Sequence, residues 1–220
     1  MSERCHRCRR PVAACYCREI KPINPGVKFI FLMHPKEAYH QRTGTGRLAS
    51  LSLTGSEIIV GIDFSENARV NELIGGRGEG AGLYPVLLYP GEDARYTDDP
   101  DFREAIAERT LLVFVVDATW FFARKMITLS ANLRALPKLS FRNGYRSQFG
   151  FKRQPAPECL STIESAHYLI DELRKAGIAR PEADPAPLMD VFLRMVDYQL
   201  ARERDRNMAE ALEQYPDLFK

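Results

Sequence analysis

An apolar run ends in three residues that could do chemistry: Asp117, Thr119 and Trp120, the only tryptophan of the chain. The six residues before them (111–116) are Leu, Val and Phe without polar alternation, which is typical of a strand buried on both faces. In open α/β sheets ligands bind beyond the carboxyl ends of such strands, so we expect these side chains at the mouth of a site. A buried carboxylate there could act as a base. Alternatively, Asp117 or Thr119 only caps the following helix and Trp120 fills the core.

Four of the five cysteines are crowded into the first 17 residues: Cys5, Cys8, Cys15 and Cys17. Four thiolates in so short a segment indicate a tetrahedral zinc site, which would give the segment its fold. Unligated surface thiols are the alternative, His6 is a weaker candidate ligand, and Cys159 is interpreted as an ordinary thiol. Five arginines surround the cysteines without an intervening acid, which favours a phosphate-binding surface: Arg4, Arg7, Arg9, Arg10 and Arg18.

A second basic region, residues 141–153, interleaves four aromatic residues with four cations and contains no acid. Rings alternating with cations are typical of segments that hold unpaired RNA, and the alternative is an apolar strand with solvated charges. The cations predicted to contact RNA here are Arg142, Arg146, Lys152 and Arg153. Lys125, in the helix that follows Trp120, is added to this set.

The remaining pattern predicts the elements that position these residues. Short apolar strands are expected at 27–33, 57–62 and 85–89, in alternation with helices at 47–53, from 63–67 to 74, and at 102–109, which indicates an α/β sheet. The helix after the central strand is predicted at 120–133. Ser161 and Glu164 form a capping box for a helix reaching residue 174, and residues 188–212 form a long amphipathic helix. The glycine-rich stretch at 75–82 matches no nucleotide-binding spacing and is interpreted as a flexible loop.

The totals limit the class of protein. The 220 residues predict one main domain, which we divide into a cysteine knuckle and linker (1–24), a catalytic domain (25–180) and a helical extension (181–220). The net charge of +2 neither requires nor excludes a nucleic-acid partner. The sequence has no stretch long enough to span a membrane and no signal peptide, so we expect a cytoplasmic protein.

Several of these motifs resemble one known family. Asp-Ala-Thr-Trp at 117–120 resembles the Asp-x-Thr-Trp signature of DTW-domain proteins, which are similar to tRNA-uridine aminocarboxypropyltransferases. The resemblance runs in order from residue 5 to 175, and its bacterial members carry a similar cysteine cluster. Its further motifs are His-Pro-x-Glu at 34–37, a Thr-Gly-Arg-Leu-Ala-like run at 45–49, an aromatic-Pro-x-x-x-Ala segment at 89–94, a Ser followed by two basic residues at 147–153, and Leu-Ser-Thr-x-Glu at 160–164.

The resemblance implies a fold, a reaction and a set of contacts. It implies a SPOUT-like, trefoil-knotted α/β fold and transfer of the 3-amino-3-carboxypropyl group of S-adenosylmethionine to N3 of a tRNA uridine, with methylthioadenosine released. Arg42 and Arg47 become further candidate contacts to RNA or substrate. The implied catalytic residues are Asp117, Thr119 and Trp120, and the implied cofactor contacts are Leu88, Tyr89, Pro90, Asp117, Leu160, Ser161, Thr162 and Glu164.

The roles at the centre stay open at the level of sequence. N3 of uridine carries a proton, so a base is needed; Asp117 is the candidate and His34 is a rival, and the alternative role for Asp117 is to bind the cofactor's amino group. Trp120 could stack on the uracil or pack against the cofactor. Two other functions compete: a SPOUT-like RNA methyltransferase, which uses the same cofactor and releases S-adenosylhomocysteine, and a zinc-knuckle RNA-binding protein without catalysis.

Overall fold

The fold is built on a parallel five-stranded sheet with the order β2-β1-β4-β3-β5. A computed structural model describes residues 3–40, 43–142, 144–149 and 159–214. The strands are β1 (Lys28–Met33), β2 (Glu57–Val60), β3 (Leu83–Leu88), β4 (Thr110–Asp117) and β5 (Lys138–Leu139). The predicted α/β class is confirmed, and the strand that ends at Asp117 is the central one.

Helices connect and cover the strands, because parallel strands need crossover connections. They are α1 (Pro35–Tyr39), α2 (Thr45–Ser52), α3 (Ala68–Ile74), α4 (Pro100–Ile106), α5 (Trp120–Leu129), α6 (Ala131–Arg134), α7 (Thr162–Lys175) and α8 (Ala186–Gln214). Short 3-10 turns occupy Val12–Ala14 and Gly78–Gly80, the latter within the predicted glycine-rich loop.

The central strand is buried on both faces, as its apolar sequence predicts. On one face Val113 and Val115 pack into a core shared with α2, α4, α7 and α8. On the other, Leu112 and Phe114 pack with residues of α3, α5 and α6. The alternation of side chains along β4 therefore joins both layers of the fold.

The prediction of a single helix at 120–133 is wrong, because α5 ends before Ser130 and a second helix, α6, begins directly after it. The fully buried Ser130 takes ψ 94° and its hydroxyl accepts a hydrogen bond from the backbone N–H of Phe64 at 2.9 Å. This long-range bond gives the buried backbone N–H of Phe64 an acceptor, which a continuous helix through Ser130 would not place there. Phe121 and Leu129 are exposed by 73% and 43%, so they lie outside the buried face of α5, which Ala123, Met126 and Ile127 form.

The three predicted regions of the chain contribute to one core. Tyr16 and Ile20 from the N-terminal segment pack in the same cluster as Ile163 of α7 and Phe192 of α8. The boundaries at residues 24 and 180 stay a prediction. Within the described part of the chain, none of the helices combines the length and the hydropathy that crossing a bilayer requires.

Candidate active site

A cavity of about 670 Å³ opens at the carboxyl ends of β3, β4 and β5. This is the edge at which open parallel sheets bind ligands. The cavity brings together three predicted segments that are distant in sequence, and only Glu164 of the predicted catalytic and cofactor residues is not in its lining. The predicted residues that line it are Leu88, Tyr89, Pro90, Asp117, Thr119, Trp120, Leu160, Ser161 and Thr162.

Asp117 lies at the centre of this site and is 4% exposed. Its Oδ1 accepts a hydrogen bond from the hydroxyl of Thr162 at 2.6 Å, which joins the end of β4 to the start of α7. Gly46, in the first turn of α2, packs so closely that a methyl group there would overlap the Asp117 carboxylate. The carboxylate is therefore held in place from two sides, by a hydroxyl and by a helix backbone.

The two residues after Asp117 in the signature, Thr119 and Trp120, have different environments. Thr119 is exposed and is the N-cap residue of α5, but its side chain makes no capping hydrogen bond. Trp120 is half-buried and lies 6.2 Å from Tyr89, measured between ring centroids. The alternative, a helix cap at Asp117 or Thr119 with Trp120 in the core, does not match the structure. Thr119 makes no capping bond, and Asp117 and Trp120 both line the cavity.

Glu164 organises the wall of the cavity from behind. Its carboxylate is fully buried and accepts three hydrogen bonds: from the Ser147 hydroxyl at 2.8 Å, from Gln148 N–H at 2.6 Å and from Ser161 N–H at 2.8 Å. The last of these belongs to the predicted capping box of α7, which is confirmed. A buried carboxylate with three donors is well satisfied, so Glu164 ties the loop around Ser147 to the start of α7.

The aromatic residues of the 141–153 stretch face inward where the structure describes them. Tyr145 stacks on Tyr168 with 4.0 Å between centroids, and its hydroxyl donates to Glu172 at 3.0 Å. Phe149 is buried and packs on Phe192. The prediction that the rings of this stretch stack on RNA is thus wrong for Phe149, whose ring is buried in the core, and Tyr145 and Phe149 both line the main cavity.

His34, the rival base, lines neither described cavity. Its Nδ1 accepts a hydrogen bond from Lys36 N–H at 3.1 Å and thereby caps α1, while its ring stacks on Phe122 at 4.3 Å. Burial lowers the pKa of His34 below its ordinary value, and the cation of Lys36 acts in the same direction. His34 is therefore a neutral helix cap in this fold.

The four predicted zinc ligands converge at the N-terminus. Their Sγ atoms all lie within 4.8 Å of one another, and the pairs Cys5–Cys17 and Cys8–Cys15 are each 3.7 Å apart. A zinc–sulfur bond of about 2.3 Å places the sulfurs of a tetrahedral site about 3.8 Å apart, so the donor set fits zinc closely. Backbone N–H groups of Cys8 and Arg7 lower the pKa of Cys5 to about 6, whereas burial raises the pKa of Cys8 and of Cys17.

Arg10 connects this knuckle to the C-terminal helix. Its guanidinium is buried, lies 5.2 Å from the centroid of the Tyr16 ring and donates to Sδ of Met195 in α8 at 2.7 Å. The prediction of a phosphate-binding surface made from all five arginines is therefore wrong for Arg10. Arg4, Arg7, Arg9 and Arg18 are exposed.

A second cavity, of about 460 Å³, lies between the knuckle and helices α1 and α2. Arg4, Arg9, Arg10 and Arg47 line it, and it shares Glu37 and Gly44 with the main cavity. Burial lowers the pKa of Arg47, and the like charge of Arg9 acts in the same direction. The second cavity is thus strongly basic and adjoins the site of Asp117.

The other predicted RNA contacts fall into three groups. Lys125 and Arg146 are exposed, as is Arg7. Arg142 lines the main cavity but is paired with Asp98 at 3.0 Å and with Asp99 at 2.5 Å, and its guanidinium lies over Tyr96. The last group lies outside the described residues: Arg42, Lys152 and Arg153.

Sequence reasoning missed several residues that line the main cavity. Glu37 and Thr45 belong to the family motifs at 34–37 and 45–49 but were not assigned to the site; Glu37 lies in α1, directly after β1, and Thr45 begins α2. Ser140 follows β5, which has only two residues and gives no recognisable pattern. Ser165 lies one turn into α7, where helical geometry places it on the same face as Ser161.

Comparison with known proteins identifies the family. The chain matches the DTW domain over residues 2–200. It belongs to the DTW-domain family. Curated relatives named tRNA-uridine aminocarboxypropyltransferase 2 include those of Mus musculus (26% identical over 174 residues), Macaca fascicularis (25% over 174) and Drosophila melanogaster (25% over 186).

These alignments cover 78%, 78% and 81% of this DTW-domain chain, and 56%, 56% and 68% of the respective relatives. The chain thus spans little more than half the length of the first two relatives. No solved structure is significantly similar to it. In this DTW-domain protein the Asp-Ala-Thr-Trp signature and the Leu-Ser-Thr segment at 160–162 line one cavity, with Asp117 and Thr162 directly bonded.

Proposed function

We propose that this protein modifies tRNA by transferring the 3-amino-3-carboxypropyl group of S-adenosylmethionine to N3 of a uridine. The observation that carries the proposal is the buried Asp117 carboxylate at the centre of a cavity that the Asp-Ala-Thr-Trp signature lines together with the segments at 88–90 and 160–162. The names of the curated relatives agree with this chemistry. The reaction is proposed to take place in the cytoplasm, where tRNA is modified.

The main cavity fits the donor in size and in chemical character. Its volume lies within the range of small-molecule sites, roughly 300–1,000 Å³. Leu88, Leu139 and Leu160 supply apolar walls suited to the adenine and the methylthio group, while the hydroxyls of Ser140 and Ser165 supply polar partners. Tyr89, Pro90, Ser161 and Thr162 complete the proposed donor contacts, with Glu164 holding Ser161 and the loop at 147–148 in place.

The donor supplies a carbon activated by a sulfonium, so that a new N3–C bond forms as the C–S bond breaks and neutral methylthioadenosine leaves. The protein must orient N3 in line with that bond and take the N3 proton. We assign the proton to Asp117, whose Oδ1 is oriented by Thr162. His34 is unsuitable because its Nδ1 caps α1. Trp120 offers the uracil a ring face beside Asp117.

N3 lies on the Watson–Crick edge of the base, so the target uridine must be unpaired and turned into the cavity. The backbone of such an RNA needs cations near the mouth of the site. Arg4 and Arg47 of the second cavity, which adjoins the main one, are proposed phosphate contacts, and Arg7, Lys125 and Arg146 extend the positive surface. RNA binding is proposed to weaken steeply with salt.

Two structural features belong to this proposal. The four-cysteine cluster is proposed to hold structural zinc, because the sulfur distances match a tetrahedral thiolate site. The chain is also proposed to form the SPOUT-like trefoil knot. The parallel sheet, in which β4 lies between β1 and β3, agrees with the SPOUT-like α/β class, and the knot itself rests on the family resemblance.

The test is mass spectrometry of nucleosides and small products after incubation of the protein with unmodified tRNA and S-adenosylmethionine. We expect aminocarboxypropyl-uridine and methylthioadenosine in equal amounts. A methylated nucleoside with S-adenosylhomocysteine would identify a methyltransferase instead. The absence of any product across a complete tRNA pool would favour an RNA-binding protein without catalysis.

An Asp117→Asn variant then separates the two roles open to this carboxylate. As a base, Asp117 contributes to turnover, and its loss should lower kcat by roughly 100- to 10,000-fold with the affinity for S-adenosylmethionine unchanged. If the variant instead loses affinity for the donor while kcat at saturation is retained, Asp117 binds the donor's amino group and the assignment is wrong. Glu92→Gln, at an exposed acid after Pro90, is the control.

A further inference from the structure

An exposed aromatic ring borders the main cavity and has no role in the site described so far. Phe121 directly follows the cavity residue Trp120 and is 73% exposed at the start of α5. Its ring packs edge-on against Phe122, with 5.3 Å between centroids, and Phe122 is stacked in turn on His34. Phe121 therefore stands on a rigid base of rings while its outer face meets solvent.

Cations lie beside the Phe121–Phe122 pair on two helices. Lys36 of α1 lies with its Nζ 4.7 Å from the centroid of Phe122, and Arg124 and Lys125 of α5 are exposed. One turn after Lys36, Tyr39 is 65% exposed, and the Arg9 guanidinium lies 6.0 Å from its centroid. Tyr39 also lines the second cavity, so the aromatic and cationic surface extends from the mouth of one cavity to the other.

We propose that this surface, defined by Phe121, Lys36, Lys125 and Tyr39, binds the unpaired nucleotides that flank the target uridine, with a base stacked on Phe121. The inference rests on the proposed function, since it assigns the RNA a position on the protein. Single-stranded RNA offers both flat ring faces and a continuous negative charge, which are the two properties that this surface complements. Protein interfaces are instead depleted in lysine at their centres.

The position of the surface also suits this partner. Residues 119 and 120 enter the cavity while residue 121 faces solvent, so a base on Phe121 lies next to the base that enters the cavity. Phosphates between them would pass Lys36 or continue towards Arg47 in the second cavity. Glu37 lies at the boundary of both cavities and is the acidic residue that such a backbone would have to pass.

The experiment measures RNA affinity in the absence of S-adenosylmethionine, by fluorescence anisotropy of a labelled unmodified tRNA and of a short labelled oligouridine. Phe121→Ala and Phe121→Leu should weaken binding of both probes roughly 5- to 150-fold, as expected for one lost base stack, whereas Phe121→Trp should preserve it. Leu129→Ala removes an exposed apolar side chain from the other end of the same helix and is the matched control.

Salt titration separates stacking from charge. Phe121→Ala should leave the dependence of affinity on salt unchanged, and Lys36→Ala or Lys125→Ala should reduce its logarithmic slope by about one. The proposal is overturned if Phe121→Ala binds both RNAs like the unaltered chain, or if Phe121→Leu binds like Phe121→Trp. A loss of self-association in Phe121→Ala, seen by light scattering with RNA affinity unchanged, would assign the surface to a second copy of the chain.

Failure of this proposal can be distinguished from failure of the proposed function. If RNA binding depends on Phe121 but no aminocarboxypropyl-uridine forms, the surface is right and the reaction is wrong. If the product forms and Phe121→Ala has an unaltered KM for tRNA, the reaction is right and the surface is wrong. If both are right, Phe121→Ala should raise KM for tRNA while kcat is retained.

Discussion

Replacement of Glu164 by Gln tests whether a buried carboxylate holds the wall of the active site. In the unaltered chain Oε2 accepts from the Ser147 hydroxyl and from Ser161 N–H, and Oε1 accepts from Gln148 N–H. A carboxamide keeps one oxygen, and its nitrogen cannot accept a hydrogen bond. Whichever way the amide is turned, the N–H of either Gln148 or Ser161 loses its acceptor on the fully buried side chain of residue 164.

The cost follows from these contacts. An unsatisfied buried donor costs about 1–3 kcal/mol, and the remaining bonds weaken from charge-assisted to neutral, at about 0.5–1.5 kcal/mol each. The free energy of unfolding should therefore fall by about 2–6 kcal/mol, a large part of the roughly 5–15 kcal/mol typical of a domain. Urea unfolding followed by far-UV circular dichroism measures this change. The single Trp120 gives a local signal from the cavity, and affinity for S-adenosylmethionine should fall with it.

Glu172→Gln is the matched control on the same helix. Among the residues that the structure describes, the Glu172 carboxylate accepts from the hydroxyls of Tyr145 at 3.0 Å and Thr97 at 3.3 Å. One hydroxyl can still donate to the carboxamide oxygen, and the other can rotate to accept from its nitrogen, so the cost should be below about 1 kcal/mol. The reasoning is refuted if Glu164→Gln is no less stable than Glu172→Gln, or if it is destabilised and donor affinity is nevertheless retained.

Three further predictions concern other parts of the molecule. Gly46→Ala should displace the Asp117 carboxylate and therefore lower kcat strongly, while the melting temperature changes little. Full activity of this variant would contradict the close packing of α2 on Asp117. His34→Asn keeps a side-chain acceptor for capping α1. Because burial lowers the folded-state pKa of His34 below its ordinary 6.5, the unfolded chain binds a proton at this histidine at a higher pH than the folded chain does. Stability should therefore fall as the pH drops below 6.5, and melting curves should show a smaller acid-induced loss in the variant than in the unaltered chain. Elemental analysis should find one zinc per chain, lost in Cys8→Ser and retained in Cys159→Ser; equal zinc contents in the two variants would exclude the four-cysteine site.

The parts of the fold that local chemistry determines could be predicted from the sequence. The uninterrupted apolar run before Asp117 marked the central strand, because only a strand covered on both faces lacks polar alternation. The capping box of Ser161 and Glu164 was visible because its partners are three residues apart. Convergence of Asp117 with residues 88–90 and 160–162 came from the family resemblance, since no local rule brings such distant segments together.

The wrong predictions concern places where contacts between residues distant in sequence determine the structure. The helix expected at 120–133 ends early because Phe64, far away in sequence, donates its N–H to Ser130. The stretch from residue 141 has no acids of its own, yet Arg142 is paired with Asp98 and Asp99 from the segment before α4. A count of charges along the chain describes composition and cannot reveal which charges meet across the fold. The same limit hid the burial of Arg10 beneath α8.

The geometry of α2 links the two cavities physically. Gly46 packs on the Asp117 carboxylate, and the next residue, Arg47, lines the basic second cavity. A ligand that holds Arg47 therefore also fixes the turn of helix against which Asp117 is packed. Glycine has no side chain, so the backbone of α2 contacts the carboxylate directly. A small displacement of α2 would therefore displace the Asp117 carboxylate as well. Under the proposed function, an RNA phosphate at Arg47 would thus steady the carboxylate as the target base enters the main cavity.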